Sequence, residues 1–126
     1  MQIPEELRYT ENHEWARLGD DGSIRIGITD YAQDSLGDIV FVDLPDVGAA
    51  ITAGEPFAEV ESTKSVSDVY GPVSGAVQKT NELLADTPEI VNQDPYGDGW
   101  FVVIAPEEGA SIDDLMDAAA YRTFIE

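Results

Sequence analysis

A mainly β fold, a sandwich or barrel with short helices and a helical C-terminal segment, is predicted by three features of this 126-residue sequence. Apolar residues recur in runs of strand length, glycine and proline interrupt those runs at close intervals, and apolar residues at helical spacing are concentrated after residue 110. A chain of this length forms one domain by expectation and buries roughly two-thirds of its unfolded surface, enough to fold without staples.

The elements follow in order. Glu14 to Leu18 and Ser23 to Ile28 flank Gly19-Asp20-Asp21-Gly22, and Ile24, Ile26 and Ile28 alternate with other residues, which predicts a hairpin with one buried face. Thr29 to Leu36 reads as a short helix capped by Thr29 or Asp30 and ended by Gly37. The nearly continuous apolar run from Ile39 to Leu44, closed by Pro45, predicts a strand buried on both faces. Strands are next expected at Gly54 to Glu61, Val66 to Tyr70, Gly75 to Lys79 and Trp100 to Ala105, with a break at Gly71-Pro72 and a loop from Asn92 to Gly99. Ser111-Ile112-Asp113-Asp114 resembles a capping box, and Ile112, Leu115, Met116 and Ala119 would then share one helical face. Asp117 is positioned to cap a second short helix through Phe124 and Ile125.

Composition removes many functions. With six Lys and Arg against 26 Asp and Glu, the net charge is -20, so nucleic acid is not an expected partner. Such acidity either steers the protein toward basic partner surfaces or adapts it to concentrated salt, and the scarcity of Lys beside abundant Asp favours salt. No cysteine is present, which excludes disulfides and a thiolate nucleophile or metal site. No apolar run reaches the ~18 residues of a membrane span, and the acidic start from Met1 to Glu6 does not read as a signal peptide, so a cytoplasmic, prokaryotic location is expected.

Catalytic machinery is equally scarce. A Ser-His-Asp triad would need His13, the sole histidine, and no Gly-x-Ser-x-Gly elbow exists; His13 reads instead as a surface or turn residue. Asn92 to Asp98 lacks the spacing and final glutamate of a calcium loop, and Thr63-Lys64-Ser65 lacks the glycines of a phosphate loop. No catalytic or metal-binding residue is therefore assigned, and the chain reads as a carrier and not an enzyme.

Lys64 is one of only two lysines and falls between two expected strands, in Glu61-Ser62-Thr63-Lys64-Ser65-Val66-Ser67-Asp68. A hairpin tip there would offer a primary amine to an acylating enzyme, with small or β-branched neighbours leaving it open. Arginine would not serve, because its guanidinium stays protonated. Lys79 lacks this setting and is expected to stay unmodified.

The segment from Glu61 to Gly75 resembles the lipoylation segment of the glycine cleavage system H proteins. Tyr9-Thr10 with His13-Glu14-Trp15, Gly27 to Gln33, Leu36 to Val42, Leu44-Pro45 with Gly48, and Asn92 with Asp94-Pro95-Tyr96-Gly97 and Gly99-Trp100 match that family in order. The resemblance implies a barrel-sandwich hybrid like those of lipoyl and biotinyl carriers. It would form a single domain over 1–126, with the β hybrid at about 8–105 and C-terminal helices at about 111–125. It also implies lipoate in amide linkage on Lys64. The partners it implies are the decarboxylating glycine dehydrogenase, the aminomethyltransferase, dihydrolipoamide dehydrogenase and a lipoate-attaching enzyme, met by a monomeric carrier of glycine catabolism.

In that family the loaded arm folds into a sheltering cleft, whose matching positions here are Glu14, Asp68 and Asn12. Many relatives have serine at the position of Asn12, and an ordinary exposed strand carboxylate is the alternative reading of Glu14. Three other functions stay open: a biotinyl carrier, whose lysine is usually flanked by methionine; a relay that passes lipoate to other complexes; and an unmodified binding module.

Overall fold

The computed structural model describes residues 1–126. Nine strands and four short helices alternate along the chain: β1 (Arg8–Tyr9), β2 (Glu14–Leu18), β3 (Ile24–Ile28), α1 (Asp30–Leu36), β4 (Ile39–Asp43), β5 (Ala50–Ile51), β6 (Pro56–Ser62), β7 (Val66–Tyr70), β8 (Gly75–Thr80), α2 (Leu83–Asp86), α3 (Ile90–Gln93), β9 (Val102–Pro106) and α4 (Ala118–Ile125). They form a six-stranded sheet in the order β1-β2-β3-β9-β8-β5 and a three-stranded sheet in the order β4-β6-β7. The architecture is a sandwich-like, mainly β fold, and the named strand pairs are all antiparallel.

Period-two patterning explains how the sheets meet. Ile24, Ile26 and Ile28 from β3, Val102 and Ile104 from β9, Val77 from β8, and Ala58, Val60 and Val69 from β6 and β7 join one buried cluster between them. A second, smaller cluster gathers Leu7, Tyr9, Trp15, Tyr96, Ala118 and Tyr121. Trp15 stands opposite Gly27 in the β2–β3 ladder. A Cβ on Gly27 would lie 2.7 Å from the indole, so only glycine leaves room for the ring.

The hairpin around Gly19 to Gly22 and the helix α1 form as expected. Thr29 Oγ1 accepts from the Ala32 amide at 3.1 Å, and the Gly37 amide closes the helix on the Gln33 carbonyl at 3.0 Å with Gly37 at φ +81°.

Three expectations need correction. The run from Ile39 to Leu44 is not buried on both faces: β4 is an edge strand, and Val40 and Phe41 are 52% and 49% exposed. A register irregularity between Ile39 and Phe41 breaks its alternation, and apolar content alone does not distinguish a central strand from an edge. Residues 111–116 do not form a helix. Ser111 Oγ accepts only from the Asp113 amide within its own turn, while Met116 exchanges both backbone hydrogen bonds with Tyr9, at 2.8 and 3.0 Å. Ile112 packs in the main cluster and Met116 against the second one, so the supposed helical face is divided between two cores. Helix begins only at Ala118, capped by Asp117 as expected. The Asn92 to Gly99 loop also starts two residues late, since Asn92 and Gln93 close α3. Strands β1 and β5, at two residues each, and helices α2 and α3, at four residues each, fall below the length at which periodicity is legible.

Candidate functional site

The β6–β7 ladder runs from Pro56 opposite Tyr70 to Glu61 opposite Val66, leaving Thr63, Lys64 and Ser65 at the turn. Five hydrogen bonds hold this tip: Ser62 N and Ser62 Oγ both donate to Ser65 O, Lys64 N and Ser65 N both donate to Ser62 Oγ, and Thr63 N donates to Asp38 O. Serine suits this role because its short hydroxyl reaches backbone amides two and three residues on. The backbone of Lys64 is thus held while its side chain remains exposed.

That side chain lies across the end of α1. Lys64 Nζ donates to the Ser35 carbonyl at 3.2 Å, and a Cβ on Gly37 would come within 3.2 Å of Lys64 Cε. A cation is favourable at a helix C-terminus, where carbonyls lack intrahelical partners. The junction is braced by Asn92, which donates to Gln33 Oε1 and Gly37 O and accepts from the Ile39 amide, all at 2.9 Å. The sequence motif containing Asn92 therefore fixes the turn beneath the lysine.

Glu14 is 1% exposed, which excludes the ordinary exposed carboxylate as its reading. It faces inward from β2 and accepts from the Thr10 hydroxyl at 2.5 Å and from the Tyr70 amide at 3.2 Å, joining one sheet to the other. Burial pushes its carboxyl up from the usual range, and these two hydrogen bonds oppose the shift.

Asn12 and Glu14 line one cleft of about 300 Å³ with Tyr9, Gly54, Gly71 and Pro72. Asp68 does not join them. It belongs to the exposed cross-strand row Asp43–Glu59–Asp68 on β4, β6 and β7, beside a separate hollow of about 280 Å³. Lys64 lines neither depression. Its hairpin carries a second outward row in which Phe41, Glu61 and Val66 are paired across the three strands, with Phe41 and Val66 exposed and Glu61 half-buried between them.

His13 occupies a turn at φ +67° and is half-buried against aromatic rings. Its ring centroid lies 4.6 Å from that of Tyr31, and Nδ1 is 2.8 Å from the Tyr121 hydroxyl, which also meets Thr29 Oγ1 at 2.8 Å. Burial lowers its affinity for a proton. This network ties α4 to the start of α1, and sequence reading missed it because the partners lie 92 and 108 residues apart.

No helix is long and apolar enough to cross a membrane. A family model described as glycine cleavage H-protein matches residues 7–126. The chain is 56% identical over 124 residues to a glycine cleavage system H protein of Halorhodospira halophila, covering 98% of this chain and 95% of that protein. It is 52% identical over 126 residues to a probable glycine cleavage system H protein of Haloarcula marismortui, covering 100% and 98%. The crystal structure of a glycine cleavage system H protein from Mycobacterium marinum superposes with a TM-score of 0.88 at 41% identity, covering 96% and 97% of the two chains.

Proposed function

The chain belongs to the glycine cleavage H-protein family, and from that membership we propose that it is a lipoyl-bearing carrier whose attachment point is Lys64. It receives an aminomethyl group at the decarboxylating glycine dehydrogenase, yields it at the aminomethyltransferase, and presents a dithiol to dihydrolipoamide dehydrogenase. A lipoate-attaching enzyme prepares it for this cycle. The protein acts as a single cytoplasmic, monomeric domain and supplies no catalysis of its own.

The observation that carries this reading is an exposed amine on a hydrogen-bonded tip. With its own amide held by Ser62 and that of the preceding Thr63 by Asp38, Lys64 loses little further backbone freedom when an enzyme grips the hairpin. Acylation by an activated lipoyl donor, which the attaching enzyme supplies, forms a C–N bond at Nζ as the bond between the acyl carbon and its leaving group breaks; the ammonium loses its protons down to one amide N–H, which removes the positive charge. The contact with the Ser35 carbonyl then becomes an ordinary amide hydrogen bond or is lost, freeing the side chain from α1. Lipoate so attached would supply the disulfide through which aminomethyl transfer and reoxidation proceed.

Shelter for a cationic cargo is assigned to Glu14 and Asn12 in their cleft and to Asp68 nearer the tip. Asp68 lies four residues from Lys64, and Tyr70, whose amide meets Glu14, lies six. An arm returning along β7 therefore meets Asp68 first. Glu14 keeps lone pairs beyond the two it uses, and an ammonium beside it would offset the burial of its charge.

Intact-mass measurement and peptide mapping on protein made in lipoate-replete cells test the assignment. One lipoyl group is expected on the peptide containing Lys64, none on Lys79, and none in Lys64→Arg. An unmodified Lys64 in such cells would overturn the carrier reading.

A further inference from the structure

Half of the chain's six cationic side chains converge on one hollow. Arg17, Arg25 and Lys79, with Ser23 and Gln78, line a depression of about 330 Å³ on the outer face of the six-stranded sheet; Asp21 is its one carboxylate. The ladders align these cations in a single row. Arg17 is opposite Arg25, Arg25 is opposite Val103, and Val103 is opposite Lys79.

The third member owes its position to a bulge. Val77 pairs with Ile104 and faces the core, while a register irregularity inserts Gln78 so that Lys79, not Gln78, stands opposite Val103. In a regular ladder Lys79 would share the inward parity of Val77. Bulges of this kind re-aim a side chain, and here the result adds a third positive charge to two that already oppose each other. Like charges directly across a ladder destabilise a sheet.

The arginines are also held in position. Arg17 Cζ lies 5.8 Å from the Trp15 ring and Arg25 Cζ lies 5.0 Å from the Trp100 ring, so both of the chain's tryptophans abut the row. Cation–aromatic contact limits the guanidinium rotamers and leaves N–H edges available for oxyanions. The structural account of the row, that its stems cover the 7% exposed Val103, requires long side chains but not three of the same sign.

We propose that the row Arg17–Arg25–Lys79 is a binding site for a small polyanion bearing two or more phosphate or carboxylate groups. Adjacent strands are about 4.8 Å apart, so the row spans three such intervals and suits a ligand with several oxyanions better than a single one. A small ligand is favoured over an acidic macromolecule by the net charge of -20, because a large partner would meet the surrounding carboxylates as well as the row. The site lies toward the Gly19–Gly22 turn of β2 and β3, whereas α1, which Lys64 touches, follows the other end of β3. Occupancy is therefore independent of lipoylation.

Titration of ¹⁵N-labelled protein with inorganic tripolyphosphate and, separately, with citrate at low ionic strength provides the test. Saturable shifts are expected at the amides of Arg17, Arg25, Lys79 and Val103. Arg17→Gln and Lys79→Gln should each weaken binding about three- to fivefold while retaining a folded spectrum, and Arg122→Gln, on α4, should leave it unchanged. Tighter binding of tripolyphosphate would identify a phosphate ligand, and tighter binding of citrate a polycarboxylate. Shifts that do not saturate, or that are the same in the Arg17→Gln/Lys79→Gln double variant, would overturn the proposal. So would sedimentation showing the row covered by a second copy of the chain.

Discussion

Glu14 shows how strongly one side chain's burial changes its chemistry. Its folded carboxyl binds a proton more readily than it would in an unfolded chain, near pH 4.3, because burial penalises the charge. The linked stability is fully present below that value and is lost as pH rises through the raised folded pKa. Glu14→Gln, which keeps an acceptor for the Tyr70 amide and places an amide donor where the carboxylate accepts from the Thr10 hydroxyl, so that the hydroxyl must turn to accept, should therefore gain on the parent protein as pH rises. Urea midpoints at pH 4, 6 and 8 measure this, and a parent that gains on the variant with rising pH would contradict the assignment. Glu14→Ala leaves the Tyr70 amide without its partner and should cost about 1–3 kcal/mol at any of these pH values.

Among the elements, α4 shows how a short helix depends on its surroundings. Eight residues are too few for a helix to persist alone, so its stability comes from Tyr121, which is fully buried, stacks on Tyr9 at 4.6 Å and bonds to Thr29 and His13. Its start comes from Asp117, whose Oδ1 accepts from the Ala120 amide at 2.9 Å. Asp117→Ala should lower unfolding stability by about 1 kcal/mol, and Asp117→Asn should recover most of the loss, because both native side chain and asparagine offer a capping oxygen. Equal stability of the alanine variant and the parent, by denaturant unfolding, would show that tertiary contacts alone start the helix. Capping was legible from the sequence at Thr29 and Asp117 because a cap is a local bond. At Ser111 the same local signal failed, since the Tyr9–Met116 bridge and the guanidinium of Arg8, which donates to Asp113 O and Leu115 O, hold that segment in a single turn, closed by Leu115 N on Ile112 O, that leads into the bridge.

At the scale of the whole molecule, a net charge of -20 is carried on 6592 Å² of surface. Self-repulsion of this size destabilises the compact state and is screened by salt, as the Debye length falls from about 10 Å at 0.1 M to about 3 Å at 1 M. The melting temperature should therefore rise steadily with sodium chloride over that range. A fall would show that attractive surface pairs outweigh the net repulsion, and would favour steering toward basic partners as the reason for the acidity. The exposed acidic row Asp43–Glu59–Asp68, where like charges oppose each other across two ladders, is among the local sources of that repulsion.

The sequence by itself determined the β class, the hairpin that carries Lys64, the caps of α1 and α4, and the family. All of these depend on local patterns or on motifs kept in linear order. Tertiary structure alone decided which strand became an edge, why Glu14 is buried, and that Asn12 shares its cleft while Asp68 does not. It also decided that Arg17, Arg25 and Lys79 form one row. The physical reason is register: side chains alternate faces with every residue, so a single inserted residue such as Gln78 moves a charge from one side of a sheet to the other, and composition and periodicity leave that choice open.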